Sequence, residues 1–142
     1  FFLHNDTIPV TVFKGGVLLM KHNRSSEDYL ETILILSERL PVVRSIDIAI
    51  ELNFSKPSVS VAMKHLKESG KINVSTAGYI TLTDTGKEIA EKVYERHRVL
   101  AQMLVTLGVN EKTANEDACE MEHVISEETF RAIQNHINAV KA

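Results

Sequence analysis

The sequence holds a single cysteine, no apolar run approaching the length of a membrane span, and no excess of basic charge. One thiol cannot staple a fold, so a reducing, cytoplasmic setting is expected. Without a membrane-length run, no membrane partner is expected either. A formal net charge of −3 argues against wholesale coating of nucleic acid, yet it leaves room for a local basic patch. A secretory signal is also missing, because the start has neither a basic opening nor a small-residue cleavage site. What remains is ordinary: 142 residues, 44% apolar and 25% charged, enough for one domain or two small ones sharing a core.

The first residues do not begin with Met, and they read as a separate segment. Ile8-Pro9-Val10-Thr11-Val12-Phe13 and Val17-Leu18-Leu19 suggest two short strands around Gly15-Gly16. The codons for Lys14-Gly15-Gly16 can spell a bacterial ribosome-binding sequence just ahead of Met20. Met20 is therefore a candidate natural start, with the preceding residues a non-native extension; the alternative is a genuine β-prone arm. Residues 1–25 are set apart on this basis.

From residue 26 the periodicity is helical. Ser26 is expected to cap a first helix carrying Glu27 and Asp28 in its opening turn, where acids are favourable. Tyr29, Leu30, Ile33, Leu34, Leu36 and Leu40 form its apolar stripe, and Pro41 stops it. A second helix follows Val43-Arg44, with Ile46, Ala49, Ile50 and Leu52 as its expected buried side. Ser55 is a strong N-cap for a third helix, and Pro57 is tolerated in its first turn, where no N–H is needed. Val59, Ala62, Met63 and Leu66 face inward, and Gly70 ends it. Two helices joined by a short turn, the second opening with small polar residues, form a helix-turn-helix. After Gly70 the period becomes two, and Lys71–Val74 and Tyr79–Leu82 flank a hairpin turn. The result is a winged helix-turn-helix over residues 26–92. Lys56, Lys64, Lys67 and Lys71 stand against one acid, Glu68, which suits phosphate contact. Arg44, Ser55, Lys56, Pro57, Ser58, Ser60 and Val61 are the expected DNA-contacting residues, with Lys64 on phosphate; a solvated lysine face is the alternative.

Residues 93–142 form a second, helical unit. A long helix capped by Thr83 or Asp84 runs to about Leu107, with Ile89, Val93, Leu100, Leu104 and Leu107 on its expected buried side. A helix over 111–123 comes next, and Ser126 caps a final one whose Phe130, Ile133, Ile137 and Val140 are apolar. Such a unit cannot bury all these faces alone, so a homodimer is expected. A two-fold, palindromic double-stranded operator would require two copies as well.

Within Asp117-Ala118-Cys119-Glu120-Met121-Glu122-His123, a helix places Cys119, Glu122 and His123 at i, i+3 and i+4 on one face of roughly 100°. Thiolate, carboxylate and imidazole all bind first-row divalent metals. Taken alone, the heptapeptide also reads as an acidic helix surface that happens to carry a Cys and a His. His97, beside Arg96 and Arg98, reads on its own as a hydrogen-bonded structural residue. Asp28 and Glu31 stand at i, i+3 on one helix face.

Four segments together resemble the diphtheria-toxin-repressor family of metal-dependent repressors, in particular its short manganese-transport-regulator branch. They are Glu27-Asp28-Tyr29-Leu30-Glu31, the Ser55–Leu66 helix, Tyr94-Glu95-Arg96-His97, and Asp117 through Ser126. The likeness runs in the family's order over residues 26 to about 137. It implies a mainly α fold, an N-terminal winged helix-turn-helix plus a C-terminal helical metal-binding and dimerisation domain. Its ligands fall on Asp28, Glu31, His97, Cys119, Glu122 and His123. The implied co-repressor is Fe(II) or Mn(II), with Zn(II), Co(II) or Ni(II) able to replace it in vitro, and the implied action is repression of metal-homeostasis genes. The chain departs from either branch. Cys119 stands where the manganese branch has glutamate, and Asp28 where the iron branch commonly has Met. Ala101 and Asn115 replace a Glu and a His of the iron branch's ancillary site, which is expected to be altered. The chain's end at Ala142 leaves no room for the SH3-like domain of longer members. Donor softness at Cys119 leans toward Fe(II). The alternatives are a winged-helix regulator without metal control, a metallohydrolase, and a purely structural dimer module. A hydrolase would need an open coordination position, a base and a substrate cleft. No enzyme activity and no small-molecule substrate are expected.

Overall fold

The computed structural model describes the backbone of residues 10–141 and the side chains of residues 25–141. Its elements are α1 (Val10–Arg39), α2 (Ser45–Leu52), α3 (Lys56–Glu68), β1 (Ile72–Val74), β2 (Ile80–Leu82), α4 (Asp84–Thr106), α5 (Glu111–Met121) and α6 (Glu127–Lys141). No helix among the described residues is long and apolar enough to cross a membrane.

The largest departure from expectation is at the front. Helix α1 already runs from Val10, so Gly15-Gly16 lie inside a helix rather than between strands, and Ser26 is interior rather than a cap. Ile8 and Pro9, the start of the expected first strand, lie outside the described residues. Short apolar runs do not discriminate a period of two from one of 3.6. Each glycine costs about 1 kcal/mol in a helix, too little to stop one that continues on both sides. Further along, hydroxyls that would break a helix bond back into it: Thr32 Oγ1 donates to Asp28 O at 2.7 Å and Ser37 Oγ to Ile33 O at 2.6 Å.

Helices α1, α2 and α3 and the hairpin wrap one core that includes Leu30, Ile33, Ile48, Val59, Ile72 and Ile80. Ser55 caps α3, accepting from Ser58 N at 3.3 Å, and Gly70 follows it at φ +74°. Strand β1 pairs antiparallel with β2 in the register Ile72–Leu82, Asn73–Thr81, Val74–Ile80. The buried side of α2 differs from expectation. Ile48 and Ala49 go inward, whereas Ile46 and Ile50 are exposed, Ile50 at 72%. An eight-residue helix offers two apolar edges, and its packing against α1 and α3 selects one.

Helix α4 joins the two halves. Thr83 caps it, accepting from Gly86 N at 3.2 Å, while Thr83 Oγ1 donates to Gly70 O at 2.7 Å. Gly86 is needed there because a Cβ would stand 2.0 Å from Lys71 O. Val93 and Leu100 are buried as expected, but Leu107 is 72% exposed. The second core is small: Leu100, Ala101 and Ala118, with Met103, Met121, Ile125 and Ile133 packed around them. Ser126 caps the start of α6, accepting from Thr129 N at 3.1 Å.

Candidate metal centre and nucleic-acid interface

Three segments converge where the halves meet. The middle of α1 supplies Glu27, Asp28 and Glu31, the middle of α4 supplies His97, and the turn after α5 supplies Glu122 and His123. Helix α5 stops at Met121, two residues short of the expected end, so Glu122 and His123 lie in a turn. Glu122 nevertheless keeps helical backbone angles, φ −59° and ψ −26°. The turn is held by Arg96, which sequence reasoning left without a role. Its Nη1 donates to Ile125 O at 3.1 Å and Glu122 O at 3.3 Å, and its Nη2 to Glu127 Oε2 at 2.7 Å. The guanidinium also lies over the Phe130 ring, 5.3 Å from its centroid, within cation–π range.

The donors form two groups sharing Glu122: Asp28, Glu122 and His123, and Glu31, His97 and Glu122. In each group the candidate ligand atoms lie within 4.8 Å of one another. His123 Nε2 is 2.8 Å from Asp28 Oδ1 and 3.2 Å from Glu122 Oε1, and His97 Nδ1 is 3.0 Å from Glu122 Oε2. Cys119, half-buried, interacts with the His123 side chain but belongs to neither group. Thus five of the six expected ligands assemble directly, and the sixth touches the site through a neighbour.

The electrostatics are those of an acidic cluster cut off from water. Glu122 is 1% exposed and Glu31 8%. Burial first, and then the Glu122 carboxylate, pushes the Glu31 carboxyl up to about 7. The hydrogen bond to Glu122 holds the His97 pKa above its ordinary value, against the opposing effect of burial. At His123 burial alone would lower the pKa; contacts with Asp28, Cys119, Glu122 and Glu27 outweigh it and raise the pKa. A divalent cation fits this donor set. Glu31 Oε2 is buried without a hydrogen-bond partner, and Glu122 Oε1 and His123 Nε2 are buried in a close ion-pair contact that falls short of hydrogen-bond geometry, so several donor atoms converge unsatisfied on one space.

The residues expected to contact DNA are exposed. Ser55, Lys56, Pro57, Ser58, Ser60, Val61 and Lys64 are all exposed along α3, Val61 at 56%. Arg44, expected only as a DNA contact, is also tied to the wing: Nη2 donates to Tyr79 Oη at 3.2 Å, and the guanidinium lies 5.0 Å from the Tyr79 ring centroid. That stacking positions a cation between helix-turn-helix and hairpin, and nothing in the local sequence signals it.

Two family models match the chain. The iron dependent repressor, N-terminal DNA binding domain covers residues 22–79, and the iron dependent repressor, metal binding and dimerisation domain covers residues 83–142. The transcriptional regulator MntR of Escherichia coli O157:H7 is 35% identical over 108 residues, 76% of this chain and 70% of that protein. The iron-dependent repressor IdeR of Mycobacterium tuberculosis is 30% identical over 115 residues, 80% of this chain and 50% of that protein. A solved manganese-dependent transcriptional repressor in complex with manganese superposes at TM-score 0.74 and 28% identity, covering 80% of this chain and 52% of that one. The chain thus spans about half the length of the solved manganese repressors it matches.

Proposed function

Because this chain belongs to the iron-dependent repressor family, we propose that a bound cation ties its DNA-reading module, residues 26–92, to its dimerisation module, residues 93–142. The observation that carries this reading is Glu122, a fully buried carboxylate shared by two donor groups drawn from both modules. Asp28, Glu122 and His123 would hold one cation, and Glu31, His97 and Glu122 a second, with Cys119 at the margin through His123. Carboxylate and imidazole donors suit Fe(II) and Mn(II), the metals named for the family's iron-dependent and manganese-dependent members. When bound, the ion supplies the positive charge that the buried carboxylates lack.

The remaining work falls to the chain. Asp28 and Glu31 project from α1, whose other face places Leu30 and Ile33 in the reader core with Val59 of α3. Any shift of α1 against the α5–α6 turn therefore carries the recognition helix with it. Two subunits would then present their α3 helices at one separation, matching a two-fold, palindromic operator. Lys64 would neutralise phosphate, while Pro57, Ser60 and Val61 would face base edges. Val105, Leu107 and Val140, exposed at the far end of α4 and α6, are apolar surface that the second copy would cover. Moving operator-competent populations from 1:99 to 99:1 takes about 5.5 kcal/mol of differential binding, within reach of metal–ligand bonds. We assign the site to cytoplasmic regulation rather than catalysis, since its donors face one another across the module boundary.

The test is operator binding of Glu122→Ala measured in chelator and in Fe(II) or Mn(II). The parent should tighten on DNA when metal is added, whereas the variant should bind weakly and equally in both. A variant that retained the parent's full metal response would overturn the assignment.

A further inference from the structure

Each histidine of the centre has its second ring nitrogen taken by a side chain outside the donor set. Glu27 Oε1 lies 2.8 Å from His123 Nδ1, and Asn115 Oδ1 lies 3.1 Å from His97 Nε2. The orientation of Asn115 is itself fixed, because its Nδ2 donates to Glu111 O at 2.8 Å and leaves the oxygen toward the ring. An imidazole that donates from one nitrogen offers a lone pair on the other. His123 thereby presents Nε2 to Asp28 and Glu122, and His97 presents Nδ1 to Glu122.

We infer that Glu27 and Asn115 are positioning residues that select the cation-facing nitrogen of each histidine and make the two cation positions unequal. The inference rests on the cation reading above. A carboxylate acceptor makes its imidazole a stronger donor than a neutral amide does. The Asp28–Glu122–His123 position is accordingly the tighter of the two. Glu27 also sits next to Asp28 on α1, so one turn of the reader module contributes a ligand and orients a ligand of the other module. Neither residue belongs to either apolar core. Their replacement should leave the fold intact.

Two measurements test this: proton–nitrogen spectra of the Zn(II)-loaded protein with 15N-labelled histidine, and Mn(II) titration followed by electron paramagnetic resonance. In the parent, His123 Nδ1–H and His97 Nε2–H should exchange slowly with solvent. Glu27→Ala should lose the first signal, keep the second, and weaken Mn(II) binding at one position by about 10–100-fold. Glu27→Gln keeps an oxygen acceptor without the charge, so it should restore the proton signal and recover part of the affinity. Asn115→Ala should lose the His97 signal instead and weaken the other position. Parental spectra and Mn(II) affinity in Glu27→Ala and Asn115→Ala would overturn the inference alone. A parent that takes up neither ion would overturn the cation reading, and this inference with it.

Discussion

The two halves of the chain are held together by different physics. Around α1, α2, α3 and the hairpin lies a continuous apolar core in which Leu30, Ile33 and Ile48 are wholly buried. The dimerisation half has a smaller core centred on Leu100, Ala101 and Ala118, and its deepest large side chain after Leu100 is the carboxylate Glu122. The reader is stabilised by removal of apolar surface from water, which needs no partner. The other half leaves Val105, Leu107 and Val140 exposed and crowds carboxylates around Glu122, so on the proposed function a cation and a second copy would complete it. A switch is best built this way, with a rigid part that reads and a part whose order depends on a ligand.

That contrast can be broken or sharpened by experiment. The largest effect is expected from Leu30→Ala, which opens a cavity in the reader core and should cost about 2–5 kcal/mol in denaturant unfolding, with or without metal. Next, saturating Mn(II) at a hundred times its dissociation constant should stabilise the parent by about 2.7 kcal/mol, and thermal melts of Glu122→Ala should show none of that gain. Gly86→Ala should cost about 1–3 kcal/mol, because the new Cβ meets the backbone of Lys71 rather than a side chain that can move. The effect should appear equally in metal-free and metal-loaded protein, since α4 here packs on the reader.

Last comes a pH dependence centred on the donor cluster where the two halves meet. Glu31 is raised from 4.5 to about 7, so the folded metal-free protein holds more protons than the unfolded chain within that window. His97 and His123 are raised as well, and their stabilising contribution is present below pH 6.5 and lost as pH rises through their folded values. All three act in the same direction. Metal-free protein should therefore melt at progressively lower temperature as pH rises above about 4.5, while Mn(II) affinity rises because ligands shed protons to the ion. A flat metal-free profile from pH 5 to 8 would show that the cluster is not proton-loaded.

Much of the reader was legible because its signals are local. Ser55, Thr83 and Ser126 bond backbone within three residues, and Gly70 turns the chain with a backbone angle few other residues accept. The hairpin shows in its own period of two. The donor types of the centre were legible too, through Asp28, Glu31, His97, Glu122 and His123. Sequence spacing could not show that Glu27, 96 residues from His123, would take its Nδ1. Nor could it show that Cys119, a neighbour by helical spacing, would stand beside the two donor groups rather than in them.

From α2 onward the sequence by itself determined the caps at Ser55, Thr83 and Ser126, the periods, the turn glycine Gly70 and the chemical kinds of the candidate donors, because these depend on forces acting within one or two helical turns. Only the tertiary structure decided which edge of α2 is buried, that Arg96 braces the Glu122–His123 turn, and that Glu122 serves both donor groups. Those outcomes depend on how α1, α4 and the α5–α6 turn are packed against one another. A side chain's partner across such an interface is set by the angle and depth of packing, which no local pattern encodes.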